Sequence, residues 1–213
     1  MTLINNAVIA AAGYGSRLGL NLPKCMVEVN GKLIIDYILD ALIPNVKNIV
    51  IVVGYKAELI EEYCNKKYPS VVIVKNEDYS TTNTAYSMAL GAKLFNGKCL
   101  FLDGDLIFNK QQIVNFLERS KQVDCLLGVT SNITENPVYV SVDQNKIIEF
   151  SRDKTTSLEW ANIFSADSRI LDNAKNFVYE ELSQLNHLFY HEIDLYEIDT
   201  PNDMKQLSLK LGI

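Results

Sequence analysis

Four apolar runs separated by helical stretches constrain this chain more than any other feature. "AVIAAA" (7–12), "NIVIVVGY" (48–55), "SVVIVKN" (70–76) and "KCLFLDGD" (98–105) are continuous rather than alternating. A strand that is apolar on both sides must be covered on both sides, which a parallel sheet between helices provides. Helical spacing fills the gaps: about Lys32 to Leu42, "KAELIEEYCNKKY" (56–68) with i, i+4 charges, and "NTAYSMALGAKLF" (83–95), with Thr81, Thr82 and Asn83 as capping candidates. The predicted fold is α/β: a mostly parallel, doubly wound (Rossmann-like) mixed sheet flanked by helices, with right-handed crossovers. In such sheets ligands bind outside the carboxyl ends of the strands. The glycine loop after the first run, Gly54-Tyr55, Asn76 and Asp103-Gly104-Asp105 each follow a strand end, so four loops converge on one edge.

After about residue 123 the pattern changes. "VDCLLGVT", "PVYVSVD" and "KIIEFSR" are closely spaced strands with turn residues between them, Asn136-Pro137 and Gln144-Asn145. They predict a small antiparallel excursion over about 123–165, placed as a lid over the site. A helix over about 166–188, broken near Asn173, then a strand over 191–199 and a helix capped at Thr200-Pro201 complete the reading. Repeats, linkers and low-complexity segments are absent from the sequence, and 213 residues suit one domain, 1–213.

Composition narrows the function classes. The net charge is −6 and the lysines are scattered, so the basic stripe of a nucleic-acid binder is missing. Cys25, Cys64, Cys99 and Cys125 form no C-x-x-C pair, which argues against a disulfide framework and a zinc site. The N-terminal apolar run has no basic flank and ends in a glycine loop, and no stretch approaches membrane-spanning length. A cytoplasmic protein without membrane or nucleic-acid partners is expected, and the Asn132-Ile133-Thr134 sequon carries no weight there.

"VIAAAGYGSRLGLNLPKCMVEV" (8–29) is the stretch that asks for a ligand. It is not a P-loop, because Gly15 is followed by Ser16-Arg17 and Lys24 lies too far on. It fits a dinucleotide fingerprint poorly: Gly13 and Gly15 match, but the sixth place is Leu18, and Pro23 opposes a helix there. Asp36, the candidate ribose carboxylate of that reading, sits inside the next amphipathic helix. What remains is a loop whose glycines let backbone N–H groups face an anion, followed by two cations, Arg17 and Lys24.

The stretch "AAGYGSRLGLNLPKCMVEVNGKLIIDYIL" resembles the signature of the nucleotidyltransferase superfamily, which includes sugar-phosphate nucleotidyltransferases and cytidylyltransferases. "GYKAELIEEY", "NEDYSTTNTAYSM", "FLDGDLIF" and "LYEIDTPNDMKQL" are similar to the choline-phosphate cytidylyltransferase branch of bacterial surface-polysaccharide pathways. The "P-x-T" insertion of the sugar branch is missing between Arg17 and Lys24, and residues 130–190 match only loosely. The resemblance divides the chain into a nucleotide-binding half (about 1–122) and an acceptor-binding half (about 123–213).

The resemblance implies that CTP and a small phosphorylated acceptor, a phosphocholine-like alcohol or amine phosphate or a phosphonate, give a CDP-linked product and pyrophosphate. A phosphate oxygen is already ionised at neutral pH, so no protein nucleophile or general base is required. Charge neutralisation and alignment are required. Arg17 and Lys24 then bridge the α-phosphate and the departing pyrophosphate, and Asp105 and Asp199 hold Mg²⁺. Asp103 shares the strand end with Asp105; a plain strand-terminating turn and a helix N-cap are the alternative readings for Asp103-Gly104-Asp105 and Asp199. Ala11, Ala12, Gly13, Gly15, Ser16, Thr82 and Asn83 complete the expected nucleotide contacts. Lys154, Glu159, Trp160 and Glu197 are the candidate acceptor contacts, with Trp160 beside Glu159 suited to a cationic head group and equally suited to the core. A sugar 1-phosphate with UTP, GTP or CTP is the alternative substrate pair. A catalytically inactive nucleotide-sensing relative and an NAD(P) oxidoreductase are the more distant ones.

Overall fold

The computed structural model describes residues 4–15, 19–198, 200, 203 and 207. The central strand β1 (Asn6–Ala11) is flanked by β4 (Asn48–Val53) and β6 (Lys98–Asp103), both parallel to it, and β5 (Val72–Lys75) extends the parallel run beyond β4. Short hairpin strands β2 (Glu28–Val29) and β3 (Lys32–Leu33) pair through Asn30 and Gly31, whose positive φ values of 52° and 75° suit a tight two-residue turn. The helices α1 (Ile34–Leu42), α2 (Ala57–Lys67) and α3 (Thr84–Ala92) cover the sheet on its two faces, giving two apolar clusters. Asn83 is the α3 N-cap, accepting from the Tyr86 N–H at 3.0 Å.

Asp36 shows why a carboxylate on an apolar helix need not meet a ligand. It is 3% exposed, and its two oxygens accept from the Tyr63 and Tyr68 hydroxyls and the Lys67 ammonium at 2.8–2.9 Å. It fastens α1 to α2.

The second half departs from the sequence-based expectation. After β7 (Leu106–Phe108) and α4 (Lys110–Ser120), the strands β8 (Leu126–Thr130), β9 (Tyr139–Asp143), β10 (Lys146–Ser151), β11 (Glu159–Asp167) and β12 (Phe189–Glu192) join the same sheet as β1. Among the described residues that sheet has nine strands in the order β5-β4-β1-β6-β11-β8-β12-β10-β9. The excursion is thus a continuation of the sheet and not a lid. "Mostly parallel" holds for the run β5, β4, β1 and β6; beyond it β11 runs antiparallel to β6 and β8, and β10 antiparallel to β9 and β12. Parallel pairing returns between β8 and β12.

The predicted helix over 166–188 is also corrected. Residues up to Asp167 belong to β11, a series of turns follows, and α5 covers only Val178–Ser183. The spacing of Ala166, Ile170, Leu171 and Ala174 imitates a helix, yet it arises where a strand end meets turns that pack onto the core. The predicted strand over 191–199 is two strands, β12 and β13 (Leu195–Glu197), and β13 pairs with β7 in a separate small sheet.

Candidate active site

A cavity of about 450 Å³ opens at the carboxyl ends of β1 and β6. The glycine loop and Lys24 form one wall, Asp103-Gly104-Asp105 the floor, and Thr82, Asn83, Thr84 and Ser87 at the start of α3 the opposite wall. The site thus lies beyond the carboxyl edge of the parallel strands, where such sheets place their ligands.

The close approach of floor and loop depends on Gly104. Its N–H donates to the Ala10 carbonyl at 2.8 Å, and a Cβ there would lie 2.9 Å from the Ala11 Cβ and 3.0 Å from that same carbonyl oxygen. The strand ends at Asp103, so Asp105 lies beyond it and not on a shared strand end. Instead the Gly104 turn brings both carboxylates to the cavity. Gly15 performs a similar service for Lys24: its φ is 61°, and a Cβ would stand 2.7 Å from Lys24 Cγ.

Lys24 leads a 3-10 turn, Lys24–Met26, that Pro23 introduces. Its ammonium donates to Asp105 Oδ2 at 2.7 Å, joining residues 81 apart in sequence. Asp105 is 9% exposed, and its Oδ1 has no hydrogen-bond partner among the described residues. A buried carboxylate with one oxygen on an ammonium and the other open to a further positive group is a mixed anion and cation site. The Ile198 N–H donates to the Asp105 carbonyl at 3.0 Å, which holds the end of β13 beside it. Glu197 on that strand also lines the cavity and accepts from Asn162 Nδ2 at 2.8 Å.

Hard carboxylate oxygens at Asp103 and Asp105 suit Mg²⁺, which takes one or two protein carboxylates and completes its shell with water and substrate phosphates. No group of three or more His, Cys, Asp or Glu side chains capable of holding a metal occurs among the described residues. Thiol chemistry has no support here. Cys25 lines the cavity, but burial pushes its thiol far up, and burial likewise raises Cys64 to about 11 and Cys99 and Cys125 to about 12.

Of the sequence-derived candidates, Ala11, Ala12, Gly13, Gly15, Lys24, Thr82, Asn83, Asp103, Asp105 and Glu197 meet in this one cavity. Ser16, Arg17 and Asp199 lie outside the described residues. Asn83 has both ends of its amide engaged, Oδ1 in the α3 cap and Nδ2 donating to the Asn176 carbonyl at 2.8 Å. Three candidates stand apart from the cavity. Lys154 is exposed and pairs with Glu149 at 2.7 Å. Trp160 is 7% exposed and packs in the core with Val129 and Val138. Glu159, 3% exposed, accepts from the Thr134 N–H and hydroxyl at 3.1 and 3.2 Å.

Glu159 has a thermodynamic consequence instead. Burial raises its carboxyl to about 7, against the lowering effect of the two Thr134 hydrogen bonds. Between about 4.5 and 7 the unfolded chain is therefore ionised here while the folded chain keeps its proton. Stability contributed by this residue falls as pH rises across that window, by at most about 1.4 kcal/mol per unit. Glu159→Gln keeps an acceptor for Thr134 and is expected to flatten that part of the profile in urea titrations from pH 4 to 8. Parallel profiles for the two proteins would contradict the assignment.

Sequence reasoning missed Tyr14, Tyr79, Ser87 and Phe177, all of which line the cavity. Tyr14 stands between the two loop glycines, and Tyr79 within the stretch leading to the α3 cap. Neither position carries a spacing signal, because their meeting depends on which strands are neighbours.

Fold and cavity define an α/β protein with paired carboxylates in a cavity at the carboxyl edge of its parallel strands. Residues 7–155 match the MobA-like NTP transferase domain family, and the chain belongs to that family and, through it, to the nucleotidyltransferase superfamily. A CTP:phosphoglutamine cytidylyltransferase from Campylobacter jejuni is 40% identical over 115 residues, 52% of this chain and 45% of that protein. A 2-aminoethylphosphonate cytidylyltransferase from Lancefieldella rimae is 29% identical over 199 residues, 88% of this chain and 78% of that protein. The match therefore spans less than half of the Campylobacter protein. A solved CTP:phosphocholine cytidylyltransferase from Streptococcus pneumoniae shares the fold, with a TM-score of 0.81, 24% identity, and coverage of 98% of this chain and 100% of that one. No helix among the described residues is long and apolar enough to cross a membrane.

Proposed function

We propose that this chain is a Mg²⁺-dependent cytidylyltransferase that joins CTP to a small phosphorylated acceptor, releasing pyrophosphate. The observation that carries the reading is the single cavity in which the glycine loop, the Lys24–Asp105 ion pair and Asp103 stand together. The relatives add the nucleotide and the acceptor class, since those named above are cytidylyltransferases for phosphoglutamine and 2-aminoethylphosphonate.

In the proposed reaction an acceptor phosphate oxygen attacks the α-phosphorus of CTP. A new P–O bond forms as the bond from the α-phosphorus to the bridging oxygen breaks, and pyrophosphate leaves opposite the nucleophile. Backbone N–H groups of Gly13 to Gly15 face the phosphates. Lys24 stands where charge builds on the leaving group, oriented by Asp105 and by the turn that Pro23 starts. Asp103 and Asp105, with Asp199, would hold Mg²⁺, which when bound supplies positive charge to the α-phosphate and pyrophosphate oxygens. An ionised acceptor phosphate needs no general base.

Base choice is the test. Cytosine presents an amino donor where uracil presents a carbonyl, so a site paired to cytosine leaves a buried acceptor unmatched when uracil enters. CTP is expected to exceed UTP by at least about tenfold in kcat/KM, about 1.4 kcal/mol. Equal or better turnover of UTP or GTP with a sugar 1-phosphate would replace this reading with the sugar nucleotidyltransferase alternative.

A further inference from the structure

The order of strands gives the cavity a direction. β6 carries Asp103 and leads to Asp105, and β4 and β5 lie on the far side of β1. Lys24 leans from the loop toward the β6 side to reach Asp105. Tyr14 leans the opposite way. Its ring centre lies 5.1 Å from that of Tyr55, which follows β4, and 5.2 Å from that of Tyr79, which follows β5. The phosphate end of the cavity is thus on the β6 side, and the opposite end, toward β5, is left for the base.

At that opposite end the two walls touch. Tyr14 comes from the glycine loop and Tyr79 from the stretch before α3, both line the cavity, and their rings meet across it. Tyr79 is seated by close packing: a Cβ on Gly54 would lie 2.5 Å from the Tyr79 Cβ and 2.8 Å from the Ala12 carbonyl oxygen. Hydrogen bonding with Tyr14 pushes the Tyr79 phenol up. Tyr55 backs the pair from outside, its hydroxyl donating to Asn21 Oδ1 at 2.7 Å and its ring lying under the Lys56 ammonium.

We infer that the Tyr14–Tyr79 contact is the end wall of the base pocket and limits the enzyme to pyrimidine nucleotides. A purine carries a second fused ring, and entering past this contact requires the Tyr14 and Tyr79 rings to part. The inference rests on the nucleotidyltransferase reading and deepens it, because it concerns ring size and not the cytosine edge.

The test compares kcat/KM for CTP, UTP, ATP and GTP in the wild type, Tyr79→Ala, Tyr79→Phe and Tyr14→Ala, with melting temperatures recorded for each. The wild type is expected to favour the better pyrimidine nucleotide over either purine by at least about tenfold. Tyr79→Ala and Tyr14→Ala are expected to shrink that ratio at least about tenfold, and Tyr79→Phe, which keeps the ring, to hold it. Tyr14 is 49% exposed, so its variant keeps the test open if Tyr79→Ala does not fold. Wild-type turnover of GTP or ATP equal to that of CTP would overturn the inference. So would an unmoved ratio in folded, active Tyr79→Ala or Tyr14→Ala. UTP outperforming CTP, with purines excluded and the alanine variants relaxed, would support the wall while removing the cytosine reading.

Discussion

Asp105→Asn is expected to lower kcat by about 10²–10³-fold while leaving the fold intact, since removal of one preorganised charge partner at a reacting phosphate costs about that much. The substitution keeps the shape of the side chain and an acceptor for the Lys24 ammonium, which lies 2.7 Å from Asp105 Oδ2. Truncation to alanine would instead leave a part-buried ammonium without its partner, and breaking a buried pair that way typically costs about 3–5 kcal/mol. Asn therefore separates chemistry from stability where Ala would not. Turnover is expected to vanish in EDTA and to return with Mg²⁺. A variant with near-normal kcat, or a wild type active in EDTA, would remove the carboxylate and metal assignment.

Lys24→Met should show the second large effect. Pyrophosphate gathers charge as the bond to the α-phosphorus breaks, so a cation aimed at it acts on the transition state more than on bound CTP. The expected loss in kcat/KM is about 10²–10³-fold, against less than about tenfold in CTP affinity measured by calorimetry. Equal losses in both would make Lys24 an anchor for the nucleotide. Because Asp105 loses its ion-pair partner in this variant, the melting temperature belongs in the same experiment.

Much of the cavity lining was legible in the sequence, and the reason is physical. Continuous apolar runs report strands buried on both sides, and the residues that follow them, Gly13 to Gly15, Thr82-Asn83 and Asp103 to Asp105, are set on one edge by the parallel arrangement. Local chemistry carried a detail that depends on neighbours in sequence: Asn83, one of the capping candidates, caps α3. The second half was harder to read because its pairing is not local. β11 is inserted between β6 and β8, although the sequence between β6 and β11 spans a helix and four strands, β7 to β10. Glu159-Trp160 looked like an aromatic beside a carboxylate, yet alternation along β11 sends such neighbours to opposite faces, and both are buried. Tyr14 and Tyr79 meet only because β4 and β5 lie to one side of β1, an ordering that no spacing in the sequence encodes.

The measurement that bears most directly on the cytidylyl-transfer reading is a product analysis. The purified chain is incubated with CTP, Mg²⁺ and a panel of small phosphorylated and phosphonate acceptors, with pyrophosphate and nucleotide products followed together by phosphorus NMR. The expected result is pyrophosphate and a CDP-linked or CMP-linked product in equal amounts, formed with at least one acceptor and absent when Mg²⁺ is withheld. Pyrophosphate from another nucleotide in preference to CTP, or CTP bound in the cavity without any transfer to any acceptor, would contradict it.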